Sequence, residues 1–307
     1  MATALISHPV CRLHEMGPTH PECPRRLDVI SDQLQSLGVL DFLIHHEAPA
    51  ASREQLLRVH TPQYLDWLES MVPESGLADI DLDTKMNEKT LVAASFAAGA
   101  AIIGTDLVIG QQADNVFCNI RPPGHHATAS QAMGFCFYNN IAVGAAHALE
   151  AHDLERIAIL DFDVHHGNGT DVIFQSDEHV LVCSLFQRDL YPFSGGDAHK
   201  AGGIDVPLPA GSGGEGMRNA VLDAWLPAIN DFRPEMVFVS AGFDAHATDG
   251  ISDLMFSDRD FHWLSEFAKS VAAGHANGRL VSTLEGGYDL DSLARCAAAH
   301  VRVLAGI

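Results

Sequence analysis

An apolar run closes in two aspartates and two histidines at 157-IAILDFDVHHGNGT-170, and the spacing of Asp161, Asp163 and His165 suits a metal site. Side chains alternate faces along a strand, so these three project one way while Phe162, Val164 and His166 project the other. A carboxylate and an imidazole two residues apart can grip one cation between them. Asp244, in 240-SAGFDAH-246 after another apolar run, supplies a third ligand. Asp163, His165 and Asp244 form a mixed nitrogen and oxygen set with positions open for water and substrate, which suits a catalytic zinc better than a structural one. Magnesium or calcium would prefer oxygen alone, while Fe²⁺, Co²⁺ and Mn²⁺ share the ligand type. The pair His125 and His126, in 121-RPPGHHA-127, adds groups that titrate near neutrality, and a base beside such a cation makes a hydrolytic site. Another pair, His45 and His46, has no such company and is given no function.

These residues need elements to hold them. Short runs rich in Val, Ile and Phe predict buried strands at 115–120, 157–162, 179–185, 236–240 and 279–284. Apolar steps of three and four residues predict helices at 139–152, 216–229 and 260–275. Strands alternating with helices imply a mostly parallel sheet covered on both faces. Polar residues follow the strands repeatedly: the histidine pair, the cluster at 161–166, 241-AGFDAH-246 and 285-EGGYDL-290. Ligands of open parallel sheets bind outside the carboxyl ends of the strands, so four strand ends deliver side chains to one crevice. The segment to about residue 90 is polar and proline-dotted, with helical pieces at 24–38 and 62–70, and is expected to wrap the same sheet. No repeat or Gly/Ser linker divides the chain, so one domain over 1–307 is expected.

With 307 residues and 47% hydrophobic content, the chain can bury a large core. Its 18 Lys and Arg against 40 Asp and Glu give a formal charge of -22, which argues against nucleic-acid binding and is compatible with cationic ligands. Cys11, Cys23, Cys118, Cys136, Cys183 and Cys296 form no CxxC pair and read as reduced and cytoplasmic. The opening MATALISHPVCRLHE has no basic region ahead of a long apolar core, unlike a signal peptide. One stretch, 91–110, is nearly uncharged over about the length a bilayer core requires. It is rich in Ala and Gly and carries Ser95, Thr105 and Asp106, so a buried helix is expected rather than a membrane span.

In chain order, 121-RPPGHHA-127, 133-MGFCFYNN-140, 161-DFDVHHGNGT-170, 240-SAGFDAH-246 and 284-LEGGY-288 resemble the zinc-dependent histone deacetylase and acetylpolyamine amidohydrolase superfamily. Segments 20-HPECPRRL-27, 60-HTPQYL-65 and 81-DLDT-84 extend the resemblance over essentially the whole chain, and Asn168 places it nearest the class II-like bacterial members. The resemblance implies a three-layer α/β fold of the arginase/deacetylase type, with a central, mostly parallel sheet of about eight strands and helices on both faces. It implies Asp163, His165 and Asp244 as ligands of one zinc, and His125 and His126 as the general base and acid pair. Asp161 would orient His125, Asn168 would lie near His126, and Tyr288 would donate a hydrogen bond to the oxyanion. Gly134, Phe135, Tyr191, Ile251 and Gly286 would line a tunnel for the acyl-amine chain. A structural potassium ion would sit at Asp161, Asp163, His165, Ser184 and Leu185. The implied reaction is hydrolysis of an N-acyl, foremost N-acetyl, amine such as acetyl-lysine or an acetylpolyamine. No nucleic-acid or membrane partner is implied, and a homo-oligomer is compatible with the resemblance.

The chain departs from the family at 249-DGI-251, where members often carry Asp-Pro-Leu, and Asp81 and Asp83 stand where relatives hold a substrate backbone. The match of 211-GSGGEG-216 to a dinucleotide fingerprint lacks the strand and the ribose-binding acid that would give it meaning. No GxSxG elbow supports serine hydrolysis. Two other readings stand beside the deacetylase: a binuclear ureohydrolase of the arginase kind, disfavoured by the lack of a second aspartate cluster, and a catalytically silent acyl-ligand sensor, disfavoured because every catalytic position is filled.

Overall fold

The computed structural model describes residues 2–196 and 203–307. Its strands are β1 (Thr3–Ser7), β2 (Leu43–Glu47), β3 (Ala78–Asp79), β4 (Lys85–Met86), β5 (Asn115–Cys118), β6 (Ile157–Asp161), β7 (Val180–Gln187), β8 (Gly203–Leu208), β9 (Met236–Ala241) and β10 (Leu280–Leu284). The helices are α1 (Arg25–Ser36), α2 (Arg53–Leu56), α3 (Pro62–Met71), α4 (Thr90–Ile109), α5 (Asn140–His152), α6 (Asn168–Phe174), α7 (Gly214–Ala220), α8 (Leu226–Phe232), α9 (Asp258–His275) and α10 (Leu290–Ala305). Eight strands make one parallel sheet in the order β2-β1-β5-β10-β9-β6-β7-β8, and β3 and β4 pair separately.

Every residue of β5, β6, β7, β9 and β10 is buried, as expected of parallel strands covered on both sides. The two faces are told apart by neighbouring residues of β5. Val116 lies under Gly104 of α4, while Asn115 donates to the Leu304 carbonyl of α10 at 3.0 Å. Adjacent strand residues point to opposite faces, so α4, packed with α5, covers one face, and α10, packed with α1 and α9, covers the other.

The apolar stretch 91–110 forms α4, the one helix among the described residues long and apolar enough to cross a membrane, and 67% of its span is buried inside the fold. Small residues explain how it seats so deeply. Gly99 runs against the Pro49 carbonyl, and Gly104 against Val116, Val281 and Ile6.

Three strands of the large sheet, the small β3–β4 pair and the helices α2, α6 and α10 go beyond the expectation. The N-terminal segment does more than wrap the sheet: it contributes β1 and β2, the latter holding His45 and His46. β8 contains Pro207, which removes a backbone donor and is tolerated because this strand is the sheet edge. α10 was not anticipated from apolar spacing. The single helix expected at 216–229 is α7 and α8 joined by a widened turn at Val221–Trp225, just ahead of Pro227. A proline inside a helix has no N–H for the preceding turn and crowds its carbonyl, and the wider turn relieves both.

The seat of α4 is testable at Gly99, where a Cβ would stand 1.8 Å from the Pro49 oxygen. Helix propensity alone favours alanine by about 1 kcal/mol, whereas overpacking costs about 1–3 kcal/mol. Gly99→Ala is expected to lower stability by roughly 1–2 kcal/mol in denaturant titration. A variant as stable as the parent would refute the close approach.

Candidate active site

Strand alternation is not what brings Asp163 and His165 together, because β6 ends at Asp161. Turn chemistry takes over. Asp161 Oδ1 accepts the Asp163 N–H at 3.1 Å, and Asp163 Oδ1 accepts the His165 N–H at 2.9 Å. Two successive Asx turns therefore produce the same two-residue period as a strand would. Phe162 and Val164 go to the core. His166 turns away to Ser194 Oγ at 3.0 Å and the ring of Phe186.

Asp163, His165 and Asp244 are buried, and their ligand atoms all lie within 4.8 Å of one another. Each aspartate divides its oxygens between two tasks. Asp163 Oδ2 accepts the Gly286 N–H at 2.7 Å, while Oδ1 faces His165 Nδ1 at 2.9 Å. Asp244 Oδ1 accepts the Val164 N–H at 3.0 Å, while Oδ2, 3.3 Å from His165 Nδ1, is buried without an aligned donor. A buried carboxylate oxygen left without a partner is costly, and a cation held jointly with Asp163 and His165 relieves it. The donor set therefore fits one divalent ion. Burial and the Asp163 charge lift the Asp244 carboxyl to about 6. Burial opposes charge on His165, but its hydrogen bond to Asp163 and the nearby charge of Asp244 prevail and raise it to about 9. Gly286 has to be glycine, since a Cβ there would stand 2.0 Å from Asp244 Oδ2 and 2.6 Å from Asp163 Oδ2.

The histidine pair sits beside this set on the loop after β5. His125 Nδ1 lies 2.9 Å from Asp161 Oδ2, and its Nε2 is 3.7 Å from Asp163 Oδ1. His126 Nδ1 lies 2.7 Å from Asn168 Oδ1, at the first residue of α6. An anionic partner for one ring and a neutral one for the other drives the two apart. Burial opposes charge on His125, but Asp161 and Asp163 outweigh it and push the imidazole up to about 10. Burial, with repulsion from His125 and His165, pushes His126 well below the usual range.

Aromatic rings surround the centre. The Tyr191 ring stands 5.2 Å from that of His126 and 6.2 Å from that of His165. Gly134 and Phe135 both adopt positive φ, 55° and 68°, which is unusual for a bulky residue and turns the Phe135 ring edge-on to Tyr288 at 5.9 Å and His20 at 4.7 Å. Ile251 lines a cleft of about 420 Å³ together with Tyr288 and Asp249. Burial raises the Tyr288 phenol well above its ordinary value; the Arg26 guanidinium opposes this, and the Asp244 and Asp163 charges reinforce it. Ser184 is the register partner of Asp161 across β6 and β7, with Oγ 3.5 Å from the Gly167 N–H, and Leu185 follows it in the strand.

Several residues of the site were not singled out from the sequence. Glu285 Oε2 accepts the N–H groups of Gly124 at 2.7 Å and His125 at 3.1 Å, which fixes the histidine loop, and burial lifts this carboxyl to about 7. Asp249 accepts the N–H groups of Tyr288 and Asp289. Arg26 donates to the Gly287 carbonyl at 2.7 Å and to that of Glu285, and lies 5.0 Å from the centre of the Tyr288 ring. Glu22 bridges Arg26 and Arg121, all three fully buried. The available signals were a glutamate at a strand end in 284-LEGGY-288 and charges in the quoted segment 20-HPECPRRL-27.

Comparison with known proteins places this arrangement. Residues 20–304 match the family described as the histone deacetylase domain. A probable deacetylase of Archaeoglobus fulgidus is 38% identical over 95% of this chain and 82% of its own. The histone deacetylase-like amidohydrolase of Pseudomonas aeruginosa is 36% identical over 99% of this chain and 86% of its own. The human polyamine deacetylase HDAC10 is 34% identical over 100% of this chain and 48% of its own. The crystal structure of the HDA15 HD domain superposes with a TM-score of 0.91 at 31% identity, covering 99% of this chain and 88% of that one. The chain belongs to the histone deacetylase family.

Proposed function

We propose that the chain hydrolyses N-acyl amines, foremost N-acetyl amines, using one zinc ion held by Asp163, His165 and Asp244. The observation that carries this reading is the unpartnered Asp244 Oδ2, facing His165 beside two histidines whose rings are held by partners of different charge. When bound, zinc supplies a Lewis acid that polarises the amide carbonyl and acidifies water. Asn168 Oδ1 accepts the Nδ1 proton of His126 and so leaves Nε2 as the base for the attacking water. Asp161 orients His125 and favours its cationic form, so that this ring can offer positive charge to the developing oxyanion, and the pair returns a proton to the leaving amine nitrogen. Tyr288, kept protonated, donates a hydrogen bond to the carbonyl oxygen as its charge grows. The products are a carboxylate and a free amine.

Phe135 and Tyr191 provide apolar walls for a flexible chain bearing the amide. Acetyl-lysine and acetylpolyamines both present an amide in that way. The name of the human relative supports the second, and the net charge of -22 supports a cationic amine in either case. The reading includes a structural potassium ion at Asp161, Asp163, His165, Ser184 and Leu185, supported by the pairing of Asp161 with Ser184. It also places the reaction in the cytoplasm, supported by six cysteines in the free thiol form. One three-ligand set beside the histidine pair favours a mononuclear centre over a binuclear ureohydrolase.

Metal analysis of the purified protein is expected to give one zinc per chain, with Asp244→Asn losing most of it. Two tightly bound manganese ions would instead support the ureohydrolase. A chelator should abolish turnover of a fluorogenic acetyl-lysine amide, and zinc should restore it; a chelator-insensitive or inert protein would overturn the reading. Tyr288→Phe is expected to retain zinc while losing about 10²-fold or more in kcat, as removal of an oxyanion donor does. Near-normal turnover would remove Tyr288 from the reaction. Initial rates on acetylputrescine, acetylspermidine and a set of acyl-lysine peptides will rank the substrate classes.

A further inference from the structure

We infer that Asp249 is a positioning residue that links the substrate-facing loop to Tyr288, an inference that rests on the deacetylase reading above. Asp249 lies five residues beyond Asp244 and is 4% exposed. Its Oδ2 accepts two consecutive backbone N–H groups, Tyr288 at 2.6 Å and Asp289 at 3.1 Å. Its Oδ1 accepts the Ile251 N–H at 3.3 Å. With both oxygens engaged by main chain, this carboxylate is neither a ligand nor a base; it joins two loops. Thr248 reinforces the junction, donating from Oγ1 to Asp289 Oδ1 at 3.0 Å.

The two loops do different work. Ile251 faces the cleft of about 420 Å³ that Tyr288 also lines. Tyr288 stands at the head of α10, whose N-cap is Asp289. Arg26 and Phe135 touch the Tyr288 ring, but it is Asp249 that holds its backbone N–H. The phenol is a lever on that backbone. A rotation of about 10° at the main chain carries the hydroxyl about 1 Å, and a misplacement of that size at a reacting centre is enough for a loss of about 10²-fold. Gly250, between Asp249 and Ile251, adds no restraint of its own, since a Cβ there would meet nothing within 4 Å. The hydrogen bonds of Asp249 therefore set where this loop stands relative to the phenol.

The test combines kinetics with a signal from Tyr288 itself. Asp249→Ala and Asp249→Asn are made in the parent and in Tyr288→Phe, all loaded with zinc and assayed on the best acyl-amine substrate. The chain has four tyrosines, so 3-fluorotyrosine labelling gives four fluorine resonances, and the one missing in Tyr288→Phe identifies Tyr288. Expected are a fall in kcat of about 100-fold for the alanine variant and about tenfold for asparagine, with KM within about threefold and zinc content unchanged. In the Tyr288→Phe background the further loss should be under about twofold, and the Tyr288 resonance should shift or broaden in both variants. A kcat within about threefold of the parent, an equal fractional loss without the phenol, or loss of zinc would overturn the inference. If alanine prevents folding, the asparagine variant carries the same comparisons. A parent that hydrolyses no acyl amine would sink the proposed function instead; the fluorine spectrum then decides the positioning role, a displaced Tyr288 line supporting it and an unmoved line overturning it.

Discussion

The site depends on carboxylates that accept main-chain N–H groups from a neighbouring loop while offering their remaining charge to the centre. Asp244, beyond β9, holds Val164 beyond β6; Asp163, beyond β6, holds Gly286 beyond β10; Glu285, at the end of β10, holds Gly124 and His125 beyond β5. The sheet order β5-β10-β9-β6 sets these loops next to one another, so each carboxylate reaches across a short distance. Bonds from backbone N–H groups favour the ionised form and recover part of what burial takes away. The three candidate ligand side chains are thus aimed by backbone, and their geometry survives without relying on the rotamers of exposed side chains.

A second set of buried charges supports the first from outside the sheet. Glu22 pairs with Arg121 at the end of β5 and with Arg26 in α1, and Arg26 continues to the carbonyls of Glu285 and Gly287. Burying a guanidinium and a carboxylate costs several kcal/mol each unless their hydrogen bonds are filled, and removing one member strands the others. The polar N-terminal segment therefore belongs to the architecture of the centre, through Arg26 against the ring of Tyr288. His20, in the same segment, packs on Phe135.

Most of the site was legible because metal and proton chemistry restrict residue types, and those types recur after apolar strands. Asp163, His165, Asp244, His125, His126 and Tyr288 could be read in this way or from family motifs, and the structure gathers them. The outcome for Asp163 and His165 matched while its cause differed, because Asx turns and strands share a period of two. Glu285 and Arg26 were not legible, and Asp249 was seen only as part of the departing 249-DGI-251 loop, without its contacts. Their partners are backbone groups far away in sequence, and an acid before glycine reads locally as a turn. The same limit applies to the fold. The five central strands are largely apolar runs, whereas β2 is exposed over most of its length and carries His45, His46 and Glu47, and β8 holds a proline, so both edges lack the signal that burial imposes.

The place of β10 in the sheet bears on the order in which the molecule can be built. β10 lies between β5 and β9 near the middle of the sheet, yet it comes from the last tenth of the chain. A chain emerging from the ribosome has both neighbours long before it has the strand that joins them. Until it arrives, Asp163 lacks the Gly286 N–H and the histidine loop lacks Glu285. The arrangement of Asp163, His165 and Asp244 is consequently complete only when β10 and the loop after it have joined the sheet, and without them the three side chains lack the main chain that aims them.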